Sequence, residues 1–205
     1  MNTLLNILKD YNIILASHSP RRINLLKSLN LEFQVKPAHI DENIDLRLSP
    51  VKYSKLLAFR KADKIREELL NDSNQQRNNI IIGADTIVVL NNEIINKPKD
   101  ENDAFQILNK LSNRSHFVYT GIALINTKNN KMLVDYSRTC VYFREIDKEE
   151  ILEYIADGKT LDKAGSYGIQ DDYGALFVRK IEGCYNNVLG LPIELLRRRL
   201  LEIID

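Results

Sequence analysis

The sequence predicts an α/β fold. Short apolar runs of strand character alternate along the chain with segments that open on helix-start signals, the pattern of a layered α/β protein. The chain has 205 residues, 44% hydrophobic and 28% charged. That is ordinary for a globular protein and enough to bury a substantial core, as one large domain or two small lobes.

The elements follow in order. Ile13 to Ala16 reads as a buried strand, and Ser17-His18-Ser19 as a turn. Ser19-Pro20 then starts a helix, with serine at the N-cap and proline at the first helical position. Phe33 to Val35 is a second strand, followed by a polar stretch over 38–48 that carries Asp41, Glu42 and Asp45. Ser49-Pro50 repeats the helix start and opens a helix to about Leu70; residues 71–79 are a polar loop. Ile80-Ile81-Ile82 leads into GADTIVVL, β-rich on both sides of Gly83-Ala84-Asp85-Thr86. Asn91-Asn92 fits a hairpin turn, because Asn tolerates positive φ. Asp100 begins a helix ending near Leu111, and residues 117–126 and 132–143 are two long strands joined by a Lys-Asn-Asn turn. Asp147 caps a helix through about Ala156. Glycines 165, 168, 174 and 183 punctuate a loop-rich region with one strand, Ala175 to Ile181, and the last helix follows Leu191-Pro192. No internal repeat, low-complexity tail or clear linker interrupts the chain.

Charge and composition exclude several classes. With 29 basic against 28 acidic residues the net charge is +1, which argues against a nucleic-acid surface. Any anion site must therefore be local. Cys140 and Cys184 are the only cysteines, too few for a disulfide framework and without zinc-type spacing, so a reducing cytoplasm is expected. The N-terminal segment lacks a basic leader region, and Lys9-Asp10 breaks its apolar stretch, so no signal peptide is expected. No run reaches the length of a membrane span, so no membrane partner is expected. His18, His39 and His116 are scattered and read as unrelated residues rather than as metal ligands.

Several residues sit where structure alone gives little reason for them. Arg21 and Arg22 occupy the first turn of a helix, where cations oppose the dipole. Exposed backbone N–H groups, the hydroxyls of Ser17 and Ser19 and two guanidiniums at one point suit a multiply charged anion, the alternative being arginines that reach out to solvent. Asp85 ends or interrupts an apolar strand run, where a carboxylate is costly without a cation, metal or donors; the alternative is a turn aspartate bonding the amide of Ile87. Lys61 falls within the apolar stripe Leu57, Lys61, Ile65, Leu69, so it either snorkels or points at phosphate. Asp41-Glu42 is either a solvated loop pair or, with Asp85, a source of oxygen ligands for magnesium. Lys97-Pro98 and the segment DKAGSYGIQ (162–170) offer cations, hydroxyls and a carboxamide on turn backbone.

Together these segments resemble the Maf family of nucleoside triphosphate pyrophosphatases. The resemblance rests on ASHSPRR (16–22), GADTIVV (83–89), NKPKD (96–100), LSNRSHFVYTGIAL (111–124), DKAGSYGIQ (162–170) and GLP (190–192), in the family's order along the chain. It implies one Maf-like domain over residues 1–205, a mixed, twisted central sheet flanked by helices, two lobes around a cleft, and a homodimer. It implies hydrolysis of a nucleoside triphosphate to monophosphate and pyrophosphate with a divalent cation, Mg2+ or Mn2+. Asp85 matches the family's essential aspartate, the proton acceptor, and with Glu42 supplies the metal ligands. Ser17, Ser19, Arg21, Arg22, Lys61, Lys97 and Lys163 match phosphate- and substrate-binding positions. Arg21, Thr86 and Gln170 match the selectivity positions of the branch that acts on dTTP and UTP, rather than the 7-methyl-GTP branch. Departures fall at His18, at Asp171-Asp172-Tyr173 and over residues 183–187. A second reading is a nucleotide-binding regulator of cell division with incidental hydrolysis. Asp85 separates the two, since a sensor has no need of a carboxylate that repels its ligand.

Overall fold

The computed structural model describes residues 2–42, 48–71, 78–158, 160–170 and 172–204. Asp45, most of the loop 71–79 and Asp171 lie outside the described residues. In chain order the elements are α1 (Asn2–Leu8), β1 (Asn12–Leu15), α2 (Pro20–Lys27), β2 (Gln34–Val35), α3 (Pro50–Leu70), β3 (Asn79–Leu90), β4 (Glu93–Ile95) and α4 (Glu101–Leu111). There follow β5 (Ser115–Asn126), β6 (Met132–Phe143), α5 (Lys148–Ala156), a 3-10 turn at Ala164–Ser166, α6 (Asp172–Phe177), β7 (Val178–Glu182), α7 (Tyr185–Val188) and α8 (Ile193–Glu202). Among the described residues the strands form one seven-stranded sheet in the order β2-β1-β3-β5-β6-β7, with β4 paired to β3. β1 runs parallel to β2 and β3, whereas β3–β4 and β6–β7 are antiparallel. The mixed α/β expectation holds.

The chain divides into two compact units. The first comprises residues 1–85, 120–137 and 190–205, and the second comprises 86–119 and 138–189, so β3, β5 and β6 each give one part to each unit. In the first unit alternate strand residues serve two cores. Ile80, Ile82 and Ala84 pack with Leu26 of α2 and Leu196 and Leu200 of α8 on one face. Ile14, Ile81, Ala123 and Ile125 pack under Ala58, Ala62 and Ile65 of α3 on the other. The crossover from β1 to β2 through α2 and the one from β2 to β3 through α3 thus lie on opposite faces, and the strand order reverses between β1 and β3, which is where α/β sheets place their ligands.

Two glycines let α3 lie directly on this sheet. A Cβ on Gly83 would stand 2.2 Å from the carbonyl oxygen of Ala58, and one on Gly121 would stand 2.2 Å from that of Ser54. Only glycine permits such an approach.

The second unit is built round Val88, Leu90, Leu108, Val118, Val141, Phe143, Tyr154 and Phe177. Its β3 segment turns at Asn91 and Asn92, both at positive φ as a tight hairpin requires. Asp100 caps α4 through the amide of Asp103, and Asp147 with Glu150 forms a capping box on α5.

Three local expectations are corrected. β3 runs unbroken from Asn79 to Leu90, so Asp85 lies within a strand rather than at its end. Ser19 occupies the N-cap of α2 but makes no side-chain cap; its hydroxyl is left for other partners. Residues 175–177, expected in a strand, are helical, and β7 begins only at Val178. Core packing decides that last point. The helical turn carries Phe177 against Tyr154 and Phe143, with ring centroids 5.2 and 6.0 Å apart, and Arg144 binds the carbonyls of Leu176 and Phe177.

Candidate active site

The first unit gathers charge where its strand order reverses. β1 pairs with β3 as far as Leu15 and Ile82, and the amide of Ala16 still donates to the Ile82 carbonyl at 2.8 Å. Ser17 leaves one strand here, and three residues beyond Ile82 Asp85 stands on the other. Gly83 and Asp85 share a strand face, so the close approach at Gly83 brings α3 over Asp85.

Lys61 uses that approach. Its Nζ donates to Oδ1 of Asp85 at 2.6 Å and lies 2.7 Å from Oε1 of Glu42. Lysine and aspartate are both buried, with side chains 11% and 10% exposed, so the lysine does not snorkel. Burial pushes the Asp85 carboxyl above the usual aspartate range, and the charges of Lys61 and Arg22 oppose that shift without cancelling it. The nearby Glu42 charge adds to it. A carboxylate so poised is a better proton acceptor than a solvated one.

Arg22 does not reach out to solvent. Its Nε donates to the carbonyl of Gly190 at 2.9 Å and its Nη1 to Oγ of Ser17 at 3.2 Å. Ser17 Oγ also accepts the amide of Ser19 at 3.3 Å. The guanidinium, turned onto protein atoms, has its pKa lowered by burial while Asp85 and Glu42 oppose the change, and it stays a cation. Arg21 and Ser19 are half-buried beside it. The structure therefore brings Ser17, Ser19, Arg21, Arg22, Glu42, Lys61 and Asp85 together in one unit.

The remaining expected residues, Thr86, Lys97, Lys163 and Gln170, belong to the second unit. Lys163 is buried, with Nζ 2.8 Å from Asp162 Oδ1, while Lys97 and Gln170 are exposed and Thr86 is half-buried. The amide of Gly165 faces the carbonyl of Asn96 at 3.5 Å, which sets the segment bearing Lys163 beside the one bearing Lys97.

Sequence reasoning missed four contributors. Gly190 carries the carbonyl that orients Arg22; only its place in GLP hinted at a role. Gly83 and Gly121 are needed for helix-to-sheet contact, which no local pattern announces. Tyr53 lies on the Lys61 stripe, and its hydroxyl faces the backbone carbonyl of Glu42 at 3.5 Å. Burial and the charges of Asp85 and Glu42 raise its pKa.

The donor set fits a small hard cation. Two carboxylates, Asp85 and Glu42, converge on one positive point, now the Lys61 ammonium. Magnesium takes one or two carboxylates and completes its shell with water and phosphate. Among the described residues no group of three or more His, Cys, Asp or Glu side chains is placed to hold a metal by protein ligands alone. No helix among them is long and apolar enough to cross a membrane.

Residues 12–203 match the family described as Maf-like protein. The chain is 49% identical over 182 residues to a dTTP/UTP pyrophosphatase of Dictyoglomus turgidum, covering 88% of this chain and 90% of that one. It is 42% identical over 181 residues to the dTTP/UTP pyrophosphatase of Caldicellulosiruptor saccharolyticus, covering 88% and 89%. The protein of that name in Clostridium perfringens is 44% identical over 189 residues, covering 92% and 95%.

Proposed function

We propose a function on one premise: this chain belongs to the Maf family. It is a nucleoside triphosphate pyrophosphatase that hydrolyses dTTP and UTP to the monophosphate and pyrophosphate. The observation that carries the chemistry is the buried Asp85 carboxylate, raised in pKa, held by Lys61 and faced by Glu42 and Arg22.

Asp85 orients a water at the α-phosphorus and takes its proton as the new P–O bond forms. The α–β bridging bond breaks, and its electrons leave with pyrophosphate. Negative charge shifts toward the leaving group, where Arg21, Arg22 and Lys61 neutralise it. Ser17 fixes Arg22, and the exposed amides at the start of α2 receive a phosphate oxygen beside Ser19. Lys61 exchanges a carboxylate for a phosphate when substrate arrives. Lys97 and Lys163 match the family's substrate-binding positions, and Arg21, Thr86 and Gln170 match the positions that choose the base. Glu42 and Asp85 are the residues that would hold Mg2+ or Mn2+, whose chemistry is charge neutralisation on the triphosphate.

A cytoplasmic homodimer is the form we propose. Family membership supports the dimer, and two unpaired cysteines support a reducing compartment. Pyrophosphate release from a panel of triphosphates, with magnesium or manganese, tests the reading. Turnover of dTTP and UTP ahead of GTP and ATP is expected; nucleotide binding with no pyrophosphate release from any member would leave only the regulator.

A further inference from the structure

The segment 162–170 carries two residues this function uses, Lys163 and Gln170, yet it has only one 3-10 turn of regular structure. Within that turn Gly165 and Ser166 are both left-handed, at φ 74° and 62°. A serine there is strained and persists only where neighbours over-determine the backbone. Within the second unit the amide of Gly168 donates to the Tyr154 hydroxyl at 3.0 Å, and the weaker Gly165–Asn96 contact lies at 3.5 Å. A shorter tie joins His116 Nε2 and the Tyr167 hydroxyl, at 2.8 Å and with both residues buried.

His116 is an odd choice for its place. It stands on β5 edge-on to Phe143 and Tyr167, with centroids 4.9 and 5.4 Å apart, and Tyr167 meets Phe143 at 4.7 Å. A phenylalanine would suit such a cluster better on burial alone. The imidazole is held neutral by burial, which pulls its pKa down to about 4, and its Nδ1 is buried with no hydrogen-bond partner. A ring that costs stability in this way and spends its other nitrogen on Tyr167 serves placement rather than packing.

We propose that His116 is a positioning residue. It fixes the Tyr167 phenol, and through it the backbone that presents Lys163 and Gln170. The inference rests on the proposed function for its consequence in catalysis, not for the physical coupling itself.

His116→Phe and Tyr167→Phe each delete one side of the contact while keeping a ring, so either one tests it if the other fails to fold. Two readouts apply to the full chain. Amide hydrogen exchange over 162–170 should quicken roughly tenfold in both variants, with α4 still protected. The ratio of kcat/KM for dTTP to that for GTP should fall several-fold in both, and His116→Gln, whose carboxamide can donate to or accept from the Tyr167 hydroxyl, should recover part of it. That ratio does not depend on the folded fraction, so a merely structural histidine would leave it unmoved. Unchanged exchange over 162–170 in both variants overturns the inference whatever the activity, as does faster exchange with an unchanged ratio. A wild-type protein with no pyrophosphatase activity would sink the proposed function, while the exchange measurement still decides this one.

Discussion

The ammonium of Lys61 donates to the carboxylate of Asp85 at 2.6 Å, although α3 and β3 place the two residues 24 positions apart. The pair is buried, and a second carboxylate, Glu42, closes on the same ammonium at 2.7 Å. Charge of this kind is weak evidence for stability and stronger evidence for function.

Asp85→Asn should keep the fold and lower kcat by on the order of 10²-fold or more. The Glu42 contact remains to hold Lys61, so thermal melting should move little. In the unmutated protein the acid limb of kcat/KM reports Asp85. Its raised pKa means the base is lost to protonation at a higher pH than an ordinary aspartate, so activity falls earlier as pH drops. A well-folded variant with most of its kcat intact would remove Asp85 from the chemistry.

Lys61 and Arg22 should respond differently. Lys61→Met leaves Asp85 and Glu42 facing each other without their shared cation, and breaking a buried pair costs about 3–5 kcal/mol. Lys61→Met with Asp85→Asn removes both charges and should regain much of that stability without regaining turnover. Arg22→Ala leaves the carbonyl of Gly190 and the hydroxyl of Ser17, both small neutral acceptors, so KM for triphosphate should suffer more than the melting temperature. Chemical denaturation beside steady-state kinetics checks all three. An additive double mutant would mean that the two charges are not coupled.

Gly83→Ala should be severe. The new Cβ must displace backbone of α3 at Ala58, at a cost of about 3 kcal/mol or more, and moving α3 also parts Lys61 from Asp85. Gly158→Ala is the control. That glycine is at φ +74° with nothing within 4 Å of the added Cβ, so only the left-handed backbone is penalised, by about 1 kcal/mol. Equal losses in the two variants would contradict the close-approach account.

Stability should fall in acid through His116. The unfolded histidine takes up a proton below 6.5, whereas the folded one resists until about 4. The unfolded state therefore binds more protons in that window, and stability is lost as pH falls through it, by about 3 kcal/mol in all. Below pH 4 this contribution is constant. Urea titrations across the window should show that slope in the wild type and lack it in His116→Phe.

The order of elements was legible in the sequence because its signals are local. Ser49-Pro50 fixed the start of α3 through the Ser49 cap, Asn91-Asn92 fixed the hairpin through positive φ, and Asp100 and Asp147 fixed two further helix starts. The anomaly of a lysine in an apolar stripe and an aspartate among β-branched residues was legible for the same reason: each violates the pattern of its own element. What no local pattern contains is the partner. That Lys61 meets Asp85 rather than snorkelling depends on Gly83 and Gly121 letting α3 touch the sheet. That Arg22 turns onto Gly190, 168 residues away, depends on the chain's return to the first unit. The helical turn at 175–177 likewise follows from the place the core keeps for Phe177. Backbone preferences and apolar period act over a few residues, so sequence carries them directly. Close approach, burial and charge pairing join residues distant in the chain, so only the tertiary structure decides them.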